Sequence, residues 1–286
     1  MSKEFADETA LCMNANGIKA YVFESLRPTP ELSFAVRKLG CIAGVVITAS
    51  HNPREYNGYK VYWEDGAQIT PPHDKNILSE VAKVTNFSDV KTMDKDEAVN
   101  KGLYNVIGED IDECYMAELK KQSIHPEIIK EMAKDIKIVT LHFTEQEHTC
   151  KKGIKRTWFE KLIVVKEQEL PDGTFPTVAY PNPEDEKAWE LALKLAKEKD
   201  ADIVLATDPD ADRLGVYAKD TKTGEYISFT GNMSGMLIAE YILREKTKMN
   251  IMPENPALVE TIVTTDMAKA IAKDYGVKLI EVLDRI

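Results

Sequence analysis

The chain has 286 residues, enough for two or three domains, and 43% of them are hydrophobic, which suffices to fill cores. Its 30% charged residues and formal net charge of −11 argue against nucleic acid or an anionic membrane as a partner. No long apolar run or signal peptide is visible, and the four cysteines form no CxxC pair. We therefore expect free or buried thiols and a cytoplasmic location.

Helical and extended patterns alternate along the first part of the chain. The predicted elements are a helix over 2–16, a strand over 18–23, a helix over 28–39, a strand over 41–48 and a helix over 75–84. Ser2 is the expected cap of the first helix. This alternation predicts α/β domains with a parallel or mixed sheet between helices. We interpret the polar stretch 86–100 as a connection without a function.

A polar hexapeptide, Thr48-Ala-Ser-His-Asn-Pro53, follows the apolar run Gly44–Ile47, which is typical of a buried strand. Asn52 and Pro53 favour a turn, so the hydroxyl of Ser50 is presented on a held loop at the end of a strand. Sites in α/β sheets are built at such strand ends. Taken alone, the hexapeptide is more simply explained as a polar turn.

The second part of the chain repeats the α/β pattern. Its predicted elements are helices over 109–122 and 126–133, strands from 136 and over 162–165, a helix over 185–199 and a strand over 203–206. Pro176, Pro181 and Pro183 predict a long surface loop before the third helix. The last part is predicted as a strand over 226–229, a helix over 234–244, a strand over 257–263, a helix over 266–275 and a strand over 278–282.

Three carboxylates stand close together in Asp208-Pro-Asp-Ala-Asp-Arg213. At positions i, i+2 and i+4 of a tight loop they would repel one another unless a hard cation lay between them, and oxygen ligands suit Mg²⁺ or Ca²⁺. A calcium-binding EF-hand loop that starts at Asp208 would need Gly at its sixth position and Glu at its twelfth. This chain has Arg213 and Lys219 there, so Mg²⁺ is the better prediction. Mg²⁺ usually completes its shell with phosphate, which predicts a phosphorylated partner.

These two motifs, with Asn57-Gly-Tyr-Lys60 between them, resemble the α-D-phosphohexomutase superfamily in their order and separation. The runs Gly58–Trp63, Gly66–Ile69 and Pro72–Lys75 are similar to its phosphoglucomutase and phosphopentomutase branch, and the resemblance covers nearly the whole chain. It implies tandem α/β domains with mixed sheets. The implied division is the C-terminal part of domain I with the serine loop over 1–105, domain II with the metal loop over 106–222, and a truncated domain III over 223–286. An earlier strand, the sugar-recognition loop and a fourth, phosphate-binding domain are expected to be missing.

The resemblance also implies the chemistry. A serine phosphorylated by a hexose bisphosphate can return the phosphoryl group to either end of a sugar phosphate. The implied residues are Ser50 as phosphoserine and metal ligand, Asp208, Asp210 and Asp212 as Mg²⁺ ligands, and Lys60 and Arg213 near the transferring group. His51 either orients the loop or phosphate, or makes a structural hydrogen bond. No G-x-S-x-G motif surrounds Ser50, which argues against a serine hydrolase.

The function expected from the resemblance is a phosphoglucomutase that interconverts glucose 1-phosphate and glucose 6-phosphate, and the truncated chain alone is expected to be inactive as a mutase. Mg²⁺ is the expected cofactor, glucose 1,6-bisphosphate the expected activator, and small sugar phosphates the expected partners. Pentose or mannose phosphates are alternative substrates, and a non-catalytic fragment that binds only Mg²⁺ and phosphate is an alternative function. The sequence does not decide between these possibilities and does not predict an oligomeric state.

The stretch from Thr140 to Trp158 departs from the family pattern, because its apolar periodicity is lost and returns at Phe159. Codons can be chosen for these residues that, when the reading frame is shifted by one or two bases, encode Pro-Leu-His-Gly-Thr and then an amphipathic helix. These are the residues that the family pattern leads us to expect. Possible codons for the terminal Asp284-Arg-Ile286 likewise encode Thr-Gly when they are read in a shifted frame. We hypothesise that single-base insertions or deletions in the coding sequence changed these residues.

Overall fold

The computed structural model describes residues 1–50, 52, 55–142, 159–169, 172–178 and 180–283. His51 lies outside the described residues, and so do 143–158 and 284–286, on which the shifted-frame hypothesis chiefly rests. Among the described residues, no helix combines the length and the apolar character needed to cross a membrane.

The first part of the chain contains four α-helices and four strands in its described residues. They are α1 (Ser2–Ala15), β1 (Ala20–Phe23), α2 (Thr29–Leu39), β2 (Ala43–Ile47), β3 (Tyr59–Trp63), α3 (His73–Val81), α4 (Lys95–Asn100) and β4 (Tyr104–Ile107). The helix predicted over 28–39 is confirmed as α2, which ends at a left-handed Gly40 with φ of 63°. Ser2 does not cap α1, because it lies inside the helix and Met1 takes the cap position.

The described strands of this part form two small sheets. β1 pairs with β4 in parallel, and β2 pairs with β3 in antiparallel orientation. The prediction that Gly44–Ile47 is a buried strand is wrong, since these residues are only half-buried. The reason is that β2 has β3 as its one strand partner among the described residues, so part of the strand stays accessible.

The stretch 86–100 is more than a connection. It includes α4, whose first turn is capped by the Asp94 carboxylate, which accepts hydrogen bonds from the N–H groups of Asp96 and Glu97. Ala98 on this helix is fully buried in a small cluster with Leu11 and Tyr104. The stretch therefore contributes to the core of the first part.

The second part is organised around one mixed sheet. Its described elements are α5 (Glu109–Lys121), α6 (Pro126–Met132), β5 (Lys137–His142), β6 (Lys161–Val164), α7 (Glu190–Lys199), β7 (Ile203–Thr207), β8 (Leu214–Lys219) and β9 (Tyr226–Phe229). The strand order is β6-β5-β7-β8-β9. β5 is parallel to β6 and β7, whereas β7–β8 and β8–β9 are antiparallel. Because β5 continues to His142, the described start of the stretch 140–158 is a regular strand.

The core of this sheet is built on Trp189, whose side chain is 1% exposed and packs with Val139, Val204 and Tyr217. Its indole N–H donates a hydrogen bond to the carbonyl of Pro183 over 2.9 Å. A Cβ at Gly215 would lie 2.4 Å from Trp189 Cζ2, so only glycine leaves room for the ring there. The predicted surface loop is accordingly wrong at Pro181 and Pro183, which are buried.

The last part contains α8 (Gly231–Lys248), β10 (Ala257–Thr261), α9 (Met267–Asp274) and β11 (Lys278–Val282). β10 and β11 pair in parallel, as expected for strands joined by a helix. β9, which the sequence places at the start of this part, extends the sheet of the second part through β8. The division at 105/106 and 222/223 stays a prediction.

Candidate active site

The three aspartates lie in the loop that connects the neighbouring strands β7 and β8 of the mixed sheet. Asp208 and Asp210 are 0% and 2% exposed, whereas Asp212 is exposed. One carboxylate oxygen from each lies within 4.8 Å of the others. The loop is tightened at Ala211, which has φ of 51° and donates its N–H to the carbonyl of Asp208 over 3.0 Å. The predicted acidic loop thus presents a compact set of oxygen ligands.

Asp208 has a buried carboxylate oxygen that is left unsatisfied by the described residues. Its Oδ1 accepts a hydrogen bond from the N–H of Arg213 at 3.1 Å, but its buried Oδ2 has no hydrogen-bond partner within the described ranges. Burial, and then the charge of Asp212, raise the pKa of Asp208 to about 7. A buried carboxylate oxygen without a partner, next to two further carboxylates, fits a hard divalent cation such as Mg²⁺.

The serine loop leaves β2 and is held by short local bonds. Ser50 has φ of 54°, in the left-handed region, and its N–H donates to Thr48 Oγ1 over 2.9 Å. The N–H of Thr48 donates to the carbonyl of Gly58 over 3.0 Å. A Cβ at Gly58 would lie 2.6 Å from the carbonyl oxygen of Thr48, so this approach requires glycine. Ser50 is therefore displayed in a defined backbone conformation.

Asp210 connects the acidic loop with the serine loop. Its Oδ1 accepts a hydrogen bond from the hydroxyl of Thr48, and its Oδ2 pairs with Lys60 Nζ at 2.6 Å. Its backbone carbonyl accepts the N–H of Thr29, at the start of α2, over 2.9 Å. Residues about 150 positions apart in the chain thus meet at one buried carboxylate.

The β2–β3 register explains why Thr48 and Lys60 reach the same carboxylate. Val46 pairs with Lys60, so these two side chains share a face, and Thr48 lies two positions beyond Val46 on that face. Burial lowers the pKa of Lys60, but the hydrogen bond and charge of Asp210 outweigh this and raise the pKa above its usual value. Lys60 is therefore an ammonium group at neutral pH, and it places a positive charge against the Asp210 carboxylate.

The other predicted residues are placed less directly. Arg213 has an exposed side chain next to the acidic loop, and its backbone N–H is what contacts Asp208. His51 and Pro53 lie outside the described residues. The sequence interpretation missed Thr48 and Thr29 as individual contributors. A threonine two positions before a loop serine is a signal for a side-chain turn, whereas the Thr29 backbone contact leaves no sequence signal.

A cavity of about 350 Å³ borders the serine loop between the first and second parts of the chain. Its lining includes Thr48, Ser50 and Pro209 from the two motif loops, together with Gln168 and Thr177. Ser50 therefore lines a partly open cavity where the two motifs meet.

Two family models match the chain. Phosphoglucomutase/phosphomannomutase, alpha/beta/alpha domain I, matches residues 1–87, and domain II of the same family matches residues 113–223. The chain is 35% identical over 283 residues to a phosphoglucomutase of Staphylococcus saprophyticus, covering 99% of this chain and 50% of the relative. It is 37% identical over 303 residues to a glucose 1,6-bisphosphate synthase of Mus musculus, covering 99% of this chain and 45% of the relative.

The fold agrees with these matches. A crystal structure from Thermus thermophilus, assigned as a phosphomannomutase, superimposes with a TM-score of 0.71 at 22% identity, covering 94% of this chain and 55% of that one. The tandem α/β architecture predicted from the motifs is confirmed. The chain belongs to the α-D-phosphohexomutase superfamily, and it spans about half the length of the curated relatives it matches.

Proposed function

We propose that this chain carries the phosphoserine and metal-binding half of a sugar-phosphate phosphotransferase, with Ser50 as the phosphoryl carrier. The observation that supports this most strongly is the convergence on Asp210. This buried carboxylate links the acidic loop to the ammonium group of Lys60 and to the hydroxyl of Thr48, two residues before Ser50. A nucleophile, a positive charge and a set of metal ligands are the parts that phosphoryl transfer requires.

The acidic loop is proposed to hold Mg²⁺ through Asp208, Asp210 and Asp212, together with an oxygen of the phosphorylated Ser50. Bound there, Mg²⁺ would neutralise charge on the transferring phosphoryl group. The formal charges of three carboxylates, one dianionic phosphate and one Mg²⁺ give the site a net charge of about −3. Lys60 and Arg213 are proposed to offset this charge, Lys60 as a point charge and Arg213 through its forked guanidinium.

The proposed reaction passes the phosphoryl group from a hexose bisphosphate to Ser50 Oγ and from there to a sugar monophosphate, at whichever of the two ends still has a free hydroxyl. Each transfer breaks one phosphorus–oxygen bond in line with the one that forms. His51 stays a candidate for orienting the loop or the phosphate.

The proposed substrates are glucose 1-phosphate and glucose 6-phosphate, with glucose 1,6-bisphosphate as the activator. Relatives at 34–37% identity include proteins named phosphoglucomutase, phosphomannomutase, glucose 1,6-bisphosphate synthase and phosphopentomutase. Pentose and mannose phosphates therefore remain alternative substrates. A second candidate function is a fragment that binds Mg²⁺ and phosphate without turnover.

We also propose a cytoplasmic location, which the free thiols of Cys12, Cys41 and Cys114 support.

The test is to incubate the purified chain with Mg²⁺ and glucose 1,6-bisphosphate carrying labelled phosphate, and to map the label by peptide mass spectrometry. We expect label on Ser50 and none in Ser50→Ala. Ser79→Ala, which removes a hydroxyl from α3, is the matched control and should be labelled like the wild type.

The outcomes separate the two candidate functions. Label on Ser50, with or without turnover of glucose 1-phosphate, supports Ser50 as the phosphoryl carrier of a transferase, whereas Mg²⁺ binding with no label on Ser50 supports the fragment. Label at another residue, or label that survives Ser50→Ala, contradicts the assignment of Ser50 as the carrier.

A further inference from the structure

The hydroxyl of Thr48 lies between the two halves of the candidate site. It accepts a hydrogen bond from the backbone N–H of Ser50 at 2.9 Å and makes a second hydrogen bond to Asp210 Oδ1. The N–H of Ser50 can only donate, and Oδ1 of Asp210 accepts the second bond from the Thr48 hydroxyl. The single proton of the Thr48 hydroxyl must therefore point to Asp210, and the direction of both bonds is determined.

The first of these bonds is sufficient for a local turn. Threonine side chains commonly accept from the N–H two residues later, and such a turn needs no second partner. The bond to Asp210 reaches across 162 positions of sequence and has no role in turn formation. Its donor is half-buried and its acceptor is buried, so it is shielded from water and from salt.

The backbone of Ser50 needs such support. A non-glycine residue in the left-handed region is strained, and it persists where the surrounding structure holds it. Thr48 holds the N–H of Ser50 directly, and Thr48 is itself held by Asp210 and by the carbonyl of Gly58. A displacement of Asp210 is therefore transmitted through one side chain to the backbone of the nucleophile.

We propose that Thr48 is a positioning residue that couples the metal loop to the serine loop. Its hydroxyl sets the backbone of Ser50 according to the position of the Asp210 carboxylate. Cation binding at the acidic loop therefore affects the rate at which Ser50 accepts a phosphoryl group. This inference rests on the proposed function for its catalytic consequence, but the link between the two loops is measurable without any reaction.

The first measurement uses the ¹⁵N-labelled chain and Mg²⁺ alone. The backbone amide resonance of Ser50 is followed during a Mg²⁺ titration of the wild type, Thr48→Ser and Thr48→Val. We expect the resonance to move in the wild type and in Thr48→Ser, which keeps the hydroxyl. It should stay within a tenth of that displacement in Thr48→Val, although Asp212 still responds to the ion.

The second measurement is the rate of phosphoryl transfer from labelled glucose 1,6-bisphosphate to Ser50 at saturating concentration. We expect Thr48→Val to slow it at least about tenfold, since small misplacements of a reacting group are costly, and Thr48→Ser to stay within about threefold of the wild type. Thr247→Val, which loses a hydroxyl bonded to the Leu243 carbonyl inside α8, is the matched control. Its rate should equal that of the wild type.

These measurements distinguish the inference from the proposed function. If the wild type takes up no phosphate, the proposed function fails, and the amide titration still decides whether Thr48 couples the loops. A Ser50 resonance that follows Mg²⁺ equally in Thr48→Val, or that never responds in the wild type, overturns the coupling. Thr48→Ala is the substitute if circular dichroism shows that Thr48→Val is unfolded, and it should behave as predicted for Thr48→Val.

Discussion

The two sides of the candidate site are held in different ways. The acidic loop leaves β7 and enters β8, which are inner strands of a five-stranded sheet in the described chain, with a fully buried core beneath them. The serine loop leaves β2, a half-buried strand that pairs with β3 alone among the described strands. The metal side is therefore held by packing, whereas the serine side depends on the hydrogen bonds of Thr48 and Thr29 to Asp210.

Each side also contains a buried carboxyl group with a raised pKa. Burial raises the pKa of Asp208 to about 7 on the metal side and the pKa of Glu31 to about 8 on the serine side. Asp208 has further carboxylates beside it, so a cation can satisfy it. Glu31 has the nearby Asp112, itself paired with Arg27 at 2.7 Å, so a proton is the simpler way to satisfy it.

The largest expected effect is on the free energy of unfolding, when the core of the five-stranded sheet that carries the acidic loop is disrupted. Trp189→Ala should lower the free energy of unfolding by about 3–5 kcal/mol, because it removes a fully buried ring and its hydrogen bond to Pro183. Trp63→Ala, on the 39% exposed tryptophan of β3, should cost less than half as much. Urea unfolding followed by circular dichroism measures both, and equal losses would contradict the comparison of the two sides.

A smaller effect is expected from the buried carboxyl of the serine side. The folded-state pKa of Glu31 lies above its ordinary value of 4.5, so its contribution to stability is complete below about pH 4.5 and is lost as the pH rises towards 8. Glu31→Gln cannot ionise, so it should be more stable than the wild type by about 1–3 kcal/mol at pH 8 and similar to it at pH 5.

The control for this prediction is Glu24→Gln, which removes an exposed carboxylate that also pairs with Arg27. Unfolding free energies measured between pH 5 and pH 8 should run parallel for Glu24→Gln and the wild type. A Glu31→Gln curve that is also parallel to the wild type would show that the buried carboxyl does not ionise in this range.

The smallest effect concerns Asp208 and has two opposite parts. The folded-state pKa near 7 means that ionised Asp208 destabilises the metal-free chain as the pH rises, so Asp208→Asn should raise Tm at pH 8 without Mg²⁺. The same change should weaken Mg²⁺ binding about tenfold, because it replaces a charged ligand by a neutral amide. Calorimetric titration and thermal unfolding with and without Mg²⁺ measure the two parts.

Asp135→Asn makes the same charge change at an exposed site and is the control. It should leave both Mg²⁺ affinity and Tm near the wild-type values. If Asp208→Asn binds Mg²⁺ as tightly as Asp135→Asn does, Asp208 is not a ligand and the acidic loop has another role.

The order of most helices and strands follows from the sequence, because apolar periodicity, prolines and glycines act locally. α2 and β11 match the predicted ranges closely, and the acidic and serine motifs lie at the strand ends where they were expected. The two motifs were also sufficient to predict the family, since their residue types and separation are determined by the chain alone.

What the sequence could not determine are the contacts between distant segments. The burial of Pro183 depends on Trp189, and the exposure of β2 depends on which strands pair with it. The bond from Thr48 to Asp210 depends on the packing of two separate sheets, which no local pattern encodes. The sequence therefore determined the chemical groups and their family, whereas only the tertiary structure decided that Asp210 joins the two loops, because that contact arises from long-range packing.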